Sequence, residues 1–481
     1  MKCVATRWSL AFALATTLAA CASVPTSPPL DLKDLARSLQ ARRLDDAGLR
    51  LAEAHFDLPT TANSPWTPDR VTVAAWYFDP LLAQARAVAT RQSADATLAA
   101  QRANPVLKLS PEKVFSGATA SSPWTIGVAL LLPLLHPGER AARRDVATAR
   151  IAMADDRLAL AVWHSRVRAT TALRRLLLAR QAEALASGIA ATQNAYRDGV
   201  RQRVAEGASA RGAQLTAELE AQQAAAELSA RTVQRVAAEH ALAGAVGVPW
   251  SALRGTDLSW PQLDAPPPPS ALPGATLARE AAWNRLDLAA LLAQYRVAAA
   301  QLRAAAGTRY PTAAVAPGYI YDQGQRKFAF DVDLELPLFH GAGARIRAAA
   351  AARDEAAASV RVRQAEILNS LDASRDDYSQ RYLAWTSRKA AAGAAQQVAR
   401  RTRQQRLAGQ VNRASEQIAE VAAAHARLAS LDALSELLQS LAQLENAVQR
   451  PIWPATRLTP PTAANSPPSS SLSEVGHAPS S

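Results

Sequence analysis

The strictest alternation of apolar and polar residues in the chain runs from Lys327 to Leu336. Phe328, Phe330, Val332, Leu334 and Leu336 alternate there with Ala329, Asp331, Asp333 and Glu335. A period of two over that length predicts a strand with one apolar face and one acidic face. Thr312 to Tyr321 offers a partner strand, joined to it by the turn-forming Asp322-Gln323-Gly324-Gln325-Arg326. A second candidate hairpin pairs Val106 to Phe115 with Trp124 to Leu132 across a Gly/Ser-rich loop. Its alternation is weaker, because Leu130-Leu131-Leu132 is apolar throughout.

Elsewhere the apolar positions follow a helical period. Ile151, Leu158, Val162, Leu173, Leu177 and Leu185 recur at mixed four- and seven-residue spacings, which coiled-coil packing explains. One breaker-poor run goes from about Arg140 to Arg197, turns near Gly199 and returns to about Ala245. Another goes from Arg345 to Leu407, turns near Gly409 and returns to about Gln449. A run of about 60 residues spans roughly 90 Å as a straight helix. Shorter helices are expected over Asp79 to Ala103 and Leu286 to Ala306, one ahead of each hairpin.

This order is written twice. Asn104-Pro105 through Pro111 corresponds to Tyr310-Pro311 through Pro317, and Leu132-Pro133-Leu134-Leu135-His136 to Leu336-Pro337-Leu338-Phe339-His340. Gly199, Arg203 and Glu206 align with Gly409, Arg413 and Glu416. The expected organisation is a first repeat over 79–248, a Pro-rich extended linker over 249–274, a second repeat over 275–450, and a disordered Pro/Ser-rich tail over 451–481.

The N-terminus changes the picture more than composition does. Lys2 and Arg7 precede an apolar stretch and then Leu18-Ala19-Ala20-Cys21, which reads as an export signal over 1–20 ending in a lipidation site at Cys21. Residues 21–78 would then form a lipidated tether. Cys3 leaves with the signal, so no thiol remains for disulfides, metal ligation or nucleophilic chemistry. The formal charge of +13 falls to +11 without Lys2 and Arg7, and export makes nucleic acid a poor partner for it. The seven histidines show no ligand spacing, although His136 and His340 share a repeat position that suits a junction between strands and helices. No phosphate loop, nucleophile elbow or zinc signature occurs, so no enzyme, cofactor or metal is expected.

Two strand pairs with an apolar face each cannot close a barrel, and open edges in lipid leave backbone groups unpaired. Three copies would supply about twelve strands of membrane-spanning length. The signal and lipid site, the duplicated helix–hairpin–long-hairpin order, Pro after the second strand, Trp124-Thr125, and Arg285-Leu286-Asp287-Leu288 at the start of the second half together resemble the TolC family of outer-membrane efflux proteins, over about 75–450. The resemblance implies a mainly helical fold with a small membrane β-barrel portion, in which a homotrimer makes a twelve-stranded barrel above a coiled-coil tunnel in the periplasm. It also implies docking to a periplasmic adaptor and an inner-membrane pump.

On that basis Asp331, Asp333 and Glu335 are expected to face the lumen. Gly199, Arg203, Gly409 and Arg413 would form the docking tips, with Arg400, Arg401, Arg403 and Arg406 as further adaptor contacts. The family narrows its tunnel with aspartates just past the second tip. Counting from Gly409 places Ser415 and Ile418 there instead, which leaves Glu206 and Glu416 as entrance-gate candidates. The expected function is an exit duct for efflux. Alternatives are the outer component of a type I protein-secretion system, and a periplasmic coiled-coil scaffold lipoprotein without a pore.

Overall fold

The computed structural model describes residues 29–59, 61, 64–116, 121–134, 138–272, 274, 279–280, 282–335, 342–453 and 458. The expectations for Cys21, His136, His340 and nearly all of the tail lie outside these residues. The chain divides into two units, Met1–Arg42 and Arg43–Ser481. The first contributes helix α1 (Leu32–Gln40), whose N-cap Asp31 accepts the Lys33 N–H at 2.8 Å.

In the second unit, α2 (Ala47–His55) and α3 (Pro68–Phe78) lead into α4 (Pro80–Ala100), β1 (Val106–Lys113), β2 (Trp124–Leu134), α5 (Glu139–Ala205) and α6 (Arg211–Val246). The short α7 (Trp250–Leu253) follows. The second half then runs α8 (Leu286–Gly307), β3 (Thr312–Asp322), β4 (Gln325–Glu335), α9 (Ala342–Leu407) and α10 (Arg413–Val448). The fold is thus mainly helical with one small sheet, and its order of elements repeats. The two long hairpins match closely: α5 and α9 have 67 and 66 residues, and α6 and α10 have 36 each. Each outgoing helix is about 100 Å long at 1.5 Å per residue.

The main core sits at the waist of the helices. Helix α3 carries Val71, Val73, Ala74, Ala75, Trp76 and Phe78, all buried. A helix apolar on every side has no face to offer water and must be surrounded. Its one buried cation, Arg70, is paired with Glu53 at 2.9 Å, and Trp76 Nε1 donates to the Val162 carbonyl at 3.1 Å. Leu158 and Leu173 of α5, Leu242 of α6, Leu371 of α9, and Leu437 and Leu441 of α10 complete this core. Farther along the hairpins a thinner seam of Ala182, Ile189, Ala190, Ala224, Val421 and Leu428 takes over. Its alanines let the helices approach closely.

The Pro-rich stretch expected as an extended linker is extended, and it is also packed. Leu253, Leu258, Trp260, Leu263 and Leu272 are buried, and Leu258 bridges Trp66. Tyr378 of α9 donates its hydroxyl to the Pro267 carbonyl at 2.5 Å. The apolar residues spaced between the prolines anchor the segment against the waist. The start of the tail is held likewise, with Trp453 5.6 Å from Trp260, ring centre to ring centre.

Candidate functional site: the two-faced sheet and the helical tips

The two hairpins join into one antiparallel sheet of order β1-β2-β3-β4, because β2 of the first half pairs with β3 of the second. Directly opposed residues share a face. The register therefore groups Leu107 and Leu109 with Ile126, Val128, Leu130, Leu132 and Leu134, with Val315, Pro317 and Tyr319, and with Phe328, Phe330, Val332 and Leu334. Away from the turn ends, where Lys113 and Arg326 fall on it, this face is apolar across all four strands. It is also exposed, with Phe328 at 75% and Val332 at 53%. The weak alternation in the first hairpin conceals the same pattern, since Leu130 and Leu132 belong to the apolar face and Leu131 to the other.

The opposite face carries Lys108, Ser110, Glu112, Thr125, Asp322, Lys327, Asp331, Asp333 and Glu335 around a centre of small residues. Ala316 is 1% exposed, and a Cβ on Gly318 would come within 2.9 Å of the Ala129 Cβ. The sheet curls toward this face. Lys108 Nζ on the β1 edge reaches Asp333 on the β4 edge at 3.7 Å, across the two strands between them. Asp331, Asp333 and Glu335 thus line the concave polar side with exposed side chains. Within the described residues, β1 pairs only with β2 and β4 only with β3, which leaves two open edges.

At the far end of the long hairpins the structure corrects the alignment. Gly199 is not at a turn; it lies inside α5 with nothing within 4 Å of an added Cβ. The chain reverses at Gly207, with φ +72°, as it does at Gly409, with φ +73°. Both turns end the helix the same way. The Ala208 N–H bonds the Arg203 carbonyl at 2.7 Å, and the Gln410 N–H bonds the Gln405 carbonyl at 2.9 Å. Such a six-residue closure needs a left-handed residue, which glycine adopts without strain. The tips correspond as Gly207 to Gly409 and Arg211 to Arg413, so the repeat offset narrows from 206 at Pro105 and Pro311 to 202 here. In the sequence Gly207 and Arg211 repeat the spacing of Gly409 and Arg413, but so do Gly199 and Arg203, and spacing alone does not choose between them.

The gate candidates separate accordingly. Glu206 is the exposed residue that ends α5, accepting from the Gln202 amide at 2.9 Å. Glu416 is in the first turn of α10 and buried, paired with Arg406 and lying 3.8 Å from Arg403 Nε. The two glutamates do not occupy equivalent positions, and Glu416 is engaged within its own hairpin. Arg203 lies in the last turn of α5 and Arg413 opens α10, while Arg400, Arg401, Arg403 and Arg413 are exposed. Ser415 helps close the second tip, its N–H donating to the Asn412 cap at 2.9 Å.

Arg285 and Asp287 fix the start of the second half. Arg285 donates to Asp287 through Nε at 3.0 Å and to the Asn446 carbonyl at 3.2 Å, and Arg363 of α9 donates to Asp287 at 2.6 Å. Burial alone would raise the Asp287 carboxyl, but the two guanidinium groups outweigh it and hold the pKa at about 2. Among the described residues no group of three metal-binding side chains occurs, and no helix is long and apolar enough to cross a membrane.

No family model and no curated protein matches the chain. Its fold does match solved structures. The outer membrane protein VceC of Vibrio cholerae has a TM-score of 0.63 at 18% identity, over 79% of this chain and 95% of VceC. The CmeC outer membrane channel of Campylobacter jejuni gives 0.65 at 12% identity, over 89% and 93%. The open state of the MtrE outer membrane channel of Neisseria gonorrhoeae gives 0.65 at 18%, over 79% and 88%. The chain has the TolC-like fold of these channels.

Proposed function

We propose that this chain, with the fold of the outer-membrane channels, is itself an outer-membrane efflux channel protomer. Three copies would close one twelve-stranded barrel and extend it as a helical duct toward the periplasm. The observation that carries this reading is the sheet. An apolar face exposed over four strands, with both edges open, suits lipid on its outside and a neighbouring copy at each edge. The concave face bears five carboxylates against two amines, so it would give a wet lumen of negative sign in an otherwise basic protein.

Further parts of the reading rest on the sequence and on the tips. Cys21 carries the lipid anchor. The Gly207 and Gly409 tips, with Arg203, Arg211 and Arg413 beside them, dock a periplasmic adaptor that couples the duct to an inner-membrane pump. Residues 79–248 and 275–450 act as the two repeats of each protomer.

The test is reconstitution of the full-length mature protein in planar bilayers, with its mass measured in detergent. A mass of three chains and stepwise conductance favouring cations are expected. A folded protein extracted from the outer membrane that conducts nothing would overturn the channel and leave a scaffold. Loss of palmitate labelling in Cys21→Ala checks the anchor, and equal labelling in the variant would refute it.

A further inference from the structure

The apolar face of the sheet carries no charge over most of its height and gains cations at the turn end. On β1, Leu107, Leu109 and Pro111 lead to Lys113, which stands opposite Trp124. On β4, Leu334, Val332, Phe330 and Phe328 lead to Arg326, opposite Tyr321. Lys113 and Arg326 are both exposed. Lys113 Nζ lies 5.1 Å from the centre of the exposed Phe115 ring and 5.5 Å from that of Trp124. The acids of this end, Glu112 and Asp322, fall on the other face, where Asp322 accepts from Lys327 at 2.6 Å.

Cations beside aromatic rings at the rim of an apolar band suit a membrane interface, where stem and ring lie against hydrocarbon and the charge reaches the headgroups. The length agrees. From Leu334 to Arg326 the strand rises about 27 Å at about 3.4 Å per residue. A tilt of about 40° reduces this to about 21 Å, which leaves Arg326 near the margin of an apolar layer about 25 Å tall. Within one protomer the two cations are on opposite edge strands. The curl that brings Lys108 to Asp333 on the concave side splays them apart on the convex one. Where β4 of one copy pairs with β1 of the next, they come onto neighbouring strands, about 4.8 Å apart, at the same end.

We propose that Lys113 of one copy and Arg326 of its neighbour together bind the phosphate of an anionic lipid headgroup at the turn end of the barrel. The inference rests on the channel reading above and adds a lipid partner at each seam between copies. A guanidinium matches phosphate with two parallel hydrogen bonds, and the ammonium supplies a second positive charge. Phe115 and Trp124 then lie along the upper part of the acyl chains. A soluble anion would satisfy the cations but leave these rings without an apolar neighbour. The bound lipid fastens one protomer to the next.

The experiment uses the full-length mature protein in a neutral detergent, with bound lipid counted by native mass spectrometry and conductance measured on the same preparation. The probes are dioleoyl phosphatidic acid, dioleoylglycerol (the same chains without phosphate) and inorganic phosphate (the headgroup chemistry without chains). Phosphatidic acid is expected to bind several-fold more tightly than dioleoylglycerol and to saturate at one lipid per chain, with inorganic phosphate a poor competitor. Lys113→Gln and Arg326→Gln should each weaken the preference several-fold, and Arg326→Lys should keep most of it. Lys327→Gln makes the same charge change on the polar face and should keep all of it. If the glutamine variants do not assemble, the wild-type comparison of the two lipids decides. Equal binding of both lipids by a conducting trimer would overturn this inference and leave the channel reading standing. An equal loss in Lys327→Gln, or full competition by inorganic phosphate, would also overturn it. A single-chain species that conducts nothing would overturn the channel reading and the shared site with it.

Discussion

Leu173, Leu371 and Leu437 at the waist are almost completely covered, whereas Phe328, Phe330, Val332 and Leu334 on the sheet are more than half exposed. In the sheet the small residues are inside, with Ala316 at 1%; at the waist small and large apolar residues are buried together. The same residue types are turned in opposite directions within one chain. The waist is built to exclude water, and the curled sheet is built to keep water on its polar side and meet something apolar on the other. The charges follow suit. Arg70, Glu53, Arg285 and Asp287 are sequestered in pairs, while Asp331, Asp333 and Glu335 stay exposed, Asp333 even where it pairs with Lys108.

The sharpest way to break this comparison is a truncation on each side. Leu173→Ala should lower unfolding stability in detergent by about 2–5 kcal/mol, because the cavity adds to the lost transfer energy. Leu334→Ala should stay within about 0.5 kcal/mol, as surface changes do. Equal losses by denaturant titration would mean that the sheet's apolar face is packed within the protomer.

A charge placed on either side of the same strand tests the sheet directly. Val332→Arg should cost about 2–4 kcal/mol if its side meets the bilayer midplane, and heat-stable trimer should be lost on gels. Asp333→Arg, on the polar side, should impair the trimer far less. The reverse order would put the strand one residue out of register.

Acid tests the sequestered pair. The folded-state pKa of Asp287 is depressed from 3.8 to about 2. Its stabilisation is therefore present above pH 3.8 and is lost as pH falls toward 2. The shift corresponds to about 2 kcal/mol by proton linkage. Asp287→Asn should forfeit roughly that at neutral pH and flatten the acid limb of the stability curve. Parallel curves for Asp287→Asn and wild type below pH 4 would contradict the linkage.

The smallest effects belong to the tips. Valine at Gly207 or Gly409 should cost about 1–2 kcal/mol each, since both require positive φ. Gly199→Ala, inside a helix with open space, should gain about 0.5–1 kcal/mol. Hydrogen exchange at the tips reads both effects. If the tips dock an adaptor, the double variant should also lose efflux and adaptor crosslinking while keeping its trimer.

How much of this was legible depends on where the signal resides. Lys327 to Glu335 reads as a strand from its alternation alone, and the long hairpins read from the lack of breakers between Arg140 and Ala245 and between Arg345 and Gln449. The first hairpin's faces became readable only through its partners, because Leu130, Leu131 and Leu132 hide the period until register assigns each to a side. Gly199 misled because a glycine in a breaker-poor helix looks like a turn, while the closure at Gly207 depends on backbone hydrogen bonds that no side chain announces. Glu416 looked free because its partners Arg403 and Arg406 lie on the other arm of the hairpin. The packing of the Pro-rich segment was likewise invisible, since prolines predict extension and say nothing of what the intervening tryptophan touches.

The inward curl that sets Lys108 near Asp333 also bears on transit. A flat sheet with two naked edges and an oily face is an aggregation template. Folding its margins toward each other, over buried alanines and glycines, withholds those edges from casual pairing with stray chains. The clasp is weak, because exposed ion pairs contribute about 0–1 kcal/mol, so a correct neighbour can open it. If copies assemble as proposed, each protomer would travel guarded and still be able to join its neighbours. Lys108→Glu, which would push the margins apart, should then increase the aggregated fraction in the periplasm before any trimer forms; an unchanged fraction on fractionation would argue that the curl gives no such protection.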